Sequence, residues 1–232
     1  MSEEVLEGRD LTDSEIAHMA AISRLSAEDG LGIGLSGAHR TGKTSICQRL
    51  SEKNPIPFLR TSAKAAAEEY GFDVNNPGSL ADRLGWQEFL LTRFEEQYQT
   101  QDGLFFADRT PLDMAAYMMA DVTAGGIDPA IDKRIDSYVS RCLAMTDRFF
   151  AAVVIIQPGI AHVSVDGSPA PNRAYQEKLN ALMLGLAPRL ERPHYIIGRN
   201  VTDFQERCNA VADLTGKTYA RYRFLLSTLP RQ

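Results

Sequence analysis

The chain has 232 residues, 44% of them hydrophobic, and a net charge of −5, which suits one α/β domain with insertions or one domain plus a small lid. No apolar run approaches the length that spans a bilayer, and the acidic opening MSEEVLEGRD lacks a signal-peptide apolar region. Cys47, Cys142 and Cys208 are scattered and have no histidine cluster beside them, which excludes a disulfide framework or structural zinc and implies free thiols in a reducing, cytoplasmic compartment.

In chain order, the capping-box pair Thr12 and Glu15 ahead of Ile16, Met19, Ala20 and Leu25 predicts a helix over 11–28. Residues 1–29 therefore read as a helical appendage, and 30–232 as a single domain. Leu31 to Ser36 alternates apolar residues with glycine, short enough for a buried strand. Gly37-Ala38-His39-Arg40-Thr41-Gly42-Lys43-Thr44 then fits G-x-x-x-x-G-K-[ST] at every fixed position. Ile46 and Leu50 follow at helical spacing, completing the strand–loop–helix context this motif requires. Glycines let successive backbone N–H groups turn onto phosphate oxygens, and a helix N-terminus adds its partial positive charge. Residues 37–45, through Ser45, form the expected cradle, with Lys43 reaching the β- and γ-phosphates and the Thr44 hydroxyl offered to Mg²⁺.

The tetrapeptide TGKT recurs at Thr215-Gly216-Lys217-Thr218. There the position four residues before Gly216 is Ala212, and the preceding FQERCNAVADL reads as helix. The second copy is assigned no nucleotide, and Gly216 is expected to be a helix C-cap.

PIPFLRTSA predicts a second strand ending near Arg60. Ser79 to Tyr98 predicts a long amphipathic helix on which Trp86 and Tyr98 are core residues. GLFFADRTP is a third strand that stops at the Asp108 carboxylate, followed by helices at about 112–122 and 128–145, the latter opened by Asp128-Pro129. RFFAAVVIIQP is a fourth strand whose continuous apolar run suits burial on both faces. SVDGSPAPNR is a loop before a helix from Ala174 to about Leu186, RPHYIIG is a fifth strand, and a helix from Asp203 to Leu214 closes the series. Strands alternating with helices imply a parallel sheet of about five strands with helices on both faces, and a ligand at the strands' carboxyl ends. Charge divides unevenly: residues 1–150 carry 15 Lys+Arg against 24 Asp+Glu, and 151–232 carry 10 against 6. Arg189, Arg192, Arg199, Arg221 and Arg223 are the candidates for a basic track in that last third, whereas charge count alone favours a solvated helix face.

The phosphate loop, FLRTSA, FFADRTPLD and the DGSPAPNR loop together resemble the small P-loop kinases over most of residues 30–215. The group includes thymidylate and deoxynucleoside kinases, ribosylnicotinamide-kinase-like ATPases and bacteriophage kinases of 5-hydroxymethyluracil in DNA. The resemblance implies a P-loop NTPase-type fold with a lid at about 160–175. It assigns catalytic roles to Lys43, Asp108 and Arg173, acceptor binding to Arg60 and Arg109, and metal binding to Thr44 and Asp108. Asp108 would take the acceptor hydroxyl's proton or hold Mg²⁺ through water, and Arg173 would close on the γ-phosphate. Asp113 is expected either to orient Arg109 or to face water. The fourth strand ends in Gln157, so Asp108 is the candidate acid, and no N-K-x-D motif points to guanine. The expected activity is ATP-dependent transfer to a nucleoside-like acceptor, led by 5-hydroxymethyluracil in phage DNA. A free deoxynucleoside or deoxynucleoside monophosphate is the alternative, and a nucleotide-switched binding protein is the alternative of another class.

Overall fold

The glycine–aliphatic alternation of GIGLS builds the central strand. In the computed structural model, which describes residues 31–61, 63–73, 76–101, 103–160 and 172–228, β1 (Gly32–Ser36) is buried along its whole length. Ile33 and Leu35 join one core. On the other face, a Cβ at Gly32 would stand 2.6 Å from the Phe105 ring, and one at Gly34 would stand 2.2 Å from the Thr110 methyl. The glycines therefore leave room for Phe105 and Phe150, which pack edge to face.

Around β1 the sheet runs β2 (Phe58–Leu59), β3 (Phe105–Asp108), β1, β4 (Phe150–Ile156), β5 (His194–Ile197), and every pairing is parallel. The second strand is shorter than PIPFLRTSA suggested, and Arg60 lies just beyond it. The apolar run of β4 is wholly buried, as expected of a strand covered on both faces. A register shift beside Gly32 puts Phe150 and Val153 in one core and Ala152 and Val154 in the other.

Seven α-helices occur among the described residues: α1 (Lys43–Lys53), α2 (Ala63–Tyr70), α3 (Leu80–Gln99), α4 (Pro111–Asp121), α5 (Pro129–Phe149), α6 (Arg173–Leu186) and α7 (Phe204–Thr228). Residues of α1 and α7 cover one face of the sheet, and those of α3 to α6 cover the other. Trp86 and Tyr98 are core residues of α3, as expected. The helix over 11–28 and most of the lid at about 160–175 lie outside the described residues.

The second TGKT sits inside α7, and Gly216 is not a C-cap. A C-capping glycine takes a left-handed φ, whereas Gly216 is absent from the positive-φ positions of the described chain and α7 runs on to Thr228. Helix persists through this glycine because its neighbours hold it. Thr215 Oγ1 and Thr218 Oγ1 donate to the carbonyls four residues back at 2.7 and 2.8 Å. Buried Val211 and Tyr219 anchor the helix on the core. Lys217 pairs with Asp213 on the exposed side.

Candidate active site

The phosphate loop leaves β1 at the centre of the sheet, where parallel strands present their carboxyl ends. Two glycines are required by the turn. A Cβ at Gly37 would lie 2.5 Å from the Ile156 carbonyl, and Gly42 has φ 90° as the residue opening α1. The first turn of any helix leaves N–H groups without intrahelical partners. The helices α3, α4, α5 and α6 meet this need with the side chains of Ser79, Thr110–Asp113, Asp128 and Asn172. Helix α1 has no side-chain cap and no acidic residue in its first turn. Its N-terminal dipole and the amides of Lys43, Thr44 and Ser45 have no side-chain cap, the arrangement that suits an anion at a helix N-terminus.

Within the loop, Lys43 is buried, and its Nζ donates to the carbonyls of Gly37 and Ala38, both at 2.8 Å. Burial pulls its pKa below the ordinary value, while Asp113 and Asp108 act against that shift. Buried Thr41 donates to the Ala38 carbonyl at 3.0 Å. Arg40 is exposed with φ 63°, and Ser45 is exposed at the start of α1. His39 leaves the loop sideways: its ring stacks on Tyr175 at 6.1 Å, and its carbonyl accepts from Gln176 Nε2 at 2.8 Å. Burial, then Lys43, Arg40 and Arg109, hold the His39 pKa below its ordinary value.

The acid at the end of β3 meets this loop. Thr44 Oγ1 donates to Asp108 Oδ2, and Thr61 Oγ1 donates to the Asp108 carbonyl at 2.8 Å. Arg109 follows with φ 95°, a conformation that costs a side-chain-bearing residue roughly 1–3 kcal/mol and persists only where its surroundings enforce it. Its N–H donates to the Leu35 carbonyl at 3.1 Å, and its carbonyl accepts from Tyr98 Oη at 3.3 Å. The guanidinium lies over the Tyr117 ring at 5.4 Å. Burial disfavours that charge, but Tyr117, Asp113 and Asp108 outweigh it and leave the pKa raised.

Asp113 neither faces water nor serves mainly to orient Arg109; it is 1% exposed. Its carboxylate accepts from Gly37 N at 3.0 Å, Thr110 N at 2.9 Å and Thr110 Oγ1 at 3.2 Å. One carboxylate thus caps α4 and holds the first amide of the phosphate loop. The Thr110-Pro111-x-Asp113 pattern carries a legible capping signal, but the reach to Gly37 is not encoded locally. Sequence reasoning also missed Tyr117, Gln176 and Arg207. Gln176 and Arg207 lie 137 and 166 residues along the chain from their partners in the loop, Tyr117 is 8 residues past the Arg109 it underlies, and no local pattern links any of them to the site. Arg60 is exposed beyond β2, and Arg173 is exposed in the first turn of α6; the structure does not gather either into this cluster.

A parallel sheet in the order β2-β3-β1-β4-β5, with a glycine loop and an uncapped helix after its central strand, is a P-loop kinase-type fold. The chain belongs to the AAA-domain family, whose model matches residues 33–160, from β1 to just beyond β4. Deoxyadenosine kinase from M. mycoides is similar over 80% of this chain and 98% of its own, at 17% identity and a TM-score of 0.58. NadR protein, solved in complex with NR, is similar over 82% of this chain and 51% of its own, at 15% identity and a TM-score of 0.57. Thymidylate kinase from Ehrlichia chaffeensis matches 80% of this chain and 98% of its own, at 15% identity and a TM-score of 0.50. At such identities the likeness is one of fold, and it bears out the resemblance to the deoxynucleoside-kinase-like group at that level. No curated protein matches the chain in sequence. Among the described residues, no helix is long and apolar enough to cross a membrane.

Proposed function

We propose that this protein is an ATP-dependent phosphotransferase acting on a hydroxyl of a nucleoside-like acceptor. The observation that carries the reading is the meeting of Thr44 and Asp108. A phosphate-loop hydroxyl and a strand-end carboxylate touch beside an uncapped helix N-terminus, with Arg109 as the next residue. Phosphoryl transfer needs cations around the transferring group and a carboxylate near the acceptor, and little else from the protein.

In this reading the amides of α1 and the Lys43 ammonium hold the β- and γ-phosphates. Asp108 takes the proton of the acceptor hydroxyl, and Arg109, steadied over Tyr117, grips the acceptor's anionic or polar end. Arg60 and Arg173 keep their proposed roles at the acceptor and the γ-phosphate. Thr44 Oγ1 and Asp108 are adjacent hard oxygens, which fits Mg²⁺, an ion usually held by one or two protein oxygens plus substrate phosphates. When bound, Mg²⁺ neutralises charge on the phosphate oxygens. We take residues 30–232 as one domain with its lid at about 160–175.

Among acceptors, a free deoxynucleoside or its monophosphate is favoured over 5-hydroxymethyluracil in DNA. Two of the five arginines of the suggested basic track are engaged within the protein. Arg199 makes two hydrogen bonds to Glu177, at 2.6 and 2.5 Å, and Arg192 bonds Asp147. The side chains of Arg221 and Arg223 lie outside the described residues. Transfer of labelled γ-phosphate from ATP, assayed across deoxynucleosides, their monophosphates and hydroxymethyluracil DNA, tests the reading. ADP release that requires a small acceptor supports it. Transfer to the modified DNA alone would restore the DNA acceptor, and acceptor-independent hydrolysis would replace the kinase with a nucleotide switch.

A further inference from the structure

Behind the phosphate loop lies a cation that the proposed chemistry does not use. Arg207, on α7, is wholly buried. Its Nη1 donates to the Thr41 carbonyl at 2.8 Å, its Nε to the Val201 carbonyl at 2.6 Å, and its Nη2 to the Gln157 carbonyl at 3.3 Å. These acceptors belong to three separate segments: the phosphate loop, the loop between β5 and α7, and the exit of β4. Among the described residues no carboxylate pairs with this guanidinium, and burial pulls its pKa below the ordinary value. An unpaired buried charge is costly, and a fork whose donors sit on three separate nitrogens suits carbonyls on three separate segments.

The bond to Thr41 fixes more than the position of the loop. A peptide unit is planar, and the described chain has no cis peptide bonds. The Thr41 carbonyl and the Gly42 N–H therefore point in opposite directions. With the carbonyl held from behind by Arg207, the Gly42 N–H faces the opposite side of the loop. That amide precedes the uncapped first turn of α1, and the left-handed φ of Gly42 permits the orientation. We propose that Arg207 is a positioning residue for phosphate binding, holding the Thr41–Gly42 peptide so that the Gly42 amide is aimed at the polyphosphate. The inference rests on the nucleotide-binding reading above.

Calorimetric titration of the full chain with ADP and with AMP tests it, using wild type, Arg207→Met and Arg207→Lys, with a urea unfolding curve for each. The wild type is expected to prefer ADP. Arg207→Lys keeps the charge but cannot span three carbonyls, and it should weaken ADP binding about ten- to a hundred-fold, the range for losing a charge-assisted hydrogen bond. AMP binding should change about three-fold or less. Should Arg207→Met fail to fold, the lysine variant decides alone. An unaltered ADP preference in a folded variant, or equal losses for ADP and AMP, would overturn the positioning role while leaving the nucleotide site intact. Absence of any ADP preference in the wild type would instead remove the nucleotide reading, and this inference with it.

Discussion

Asp113→Asn changes one atom and separates two roles of a single carboxylate. In the wild type both oxygens are committed: Oδ1 accepts from Gly37 N, and Oδ2 accepts from Thr110 N and Thr110 Oγ1. An asparagine offers one acceptor and one NH₂ group. Either orientation turns that NH₂ toward a main-chain N–H, so one buried donor loses its acceptor and meets another donor. A hydrogen bond to a charged group contributes about 1.5–3 kcal/mol, and a stranded buried donor costs about 1–3 kcal/mol. Asp113 also offsets the charges of buried Lys43 and half-buried Arg109, whose mutual repulsion loses that compensation when it is neutralised. The expected destabilisation is about 2–4 kcal/mol for Asn and about 3–5 kcal/mol for Ala, read as a lowered urea midpoint at unchanged m. Nucleotide affinity should fall as well, because the Gly37 amide opens the loop. An Asp113→Asn protein within about 0.5 kcal/mol of wild type would refute the argument that this carboxylate joins the phosphate loop to the cap of α4.

Lys43→Ala should lower transfer about 100- to 1000-fold, whereas Lys217→Ala, which breaks only an exposed pair with Asp213, should leave it within a few-fold; comparable losses in steady-state assays would undo the choice between the two motifs. His39 has a folded pKa held below its ordinary value of 6.5, so the unfolded chain binds a proton that the folded chain refuses as pH falls through 6.5. Stability should therefore decline toward acid more steeply in wild type than in His39→Gln. The difference should be about a few tenths of a kcal/mol per pH unit because water screens the half-exposed ring, and parallel urea midpoints at pH 7.5 and 5.5 would contradict it. Arg173→Ala should depress kcat far more than it raises the KM for ATP if the side chain acts on the transition state, and an unchanged kcat would return Arg173 to an ordinary exposed helix arginine.

The parts legible in the chain are those whose physics is local. A glycine loop between a buried strand and an amphipathic helix specifies its own turn and its own helix N-terminus, so the strand, loop and helix around Gly37 to Thr44 could be read from spacing alone. An apolar run such as FAAVVII announces a strand buried on both faces, and Asp128-Pro129 announces a helix start. Tertiary structure decided whatever depended on partners distant in sequence. Gly216 looked like a helix end, yet the buried faces of Val211 and Tyr219 carry α7 past it, because packing energy outweighs the roughly 1 kcal/mol that an internal glycine costs a helix. Asp113 looked like a solvent or orienting carboxylate, yet it closes on Gly37, 76 residues earlier. Thr44 finds Asp108, and Arg207 finds Thr41, only because β3 and β4 flank β1 and α7 folds back beside α1. Strand order is set by the total burial of the sheet's two faces, a sum over the whole chain that no short segment contains.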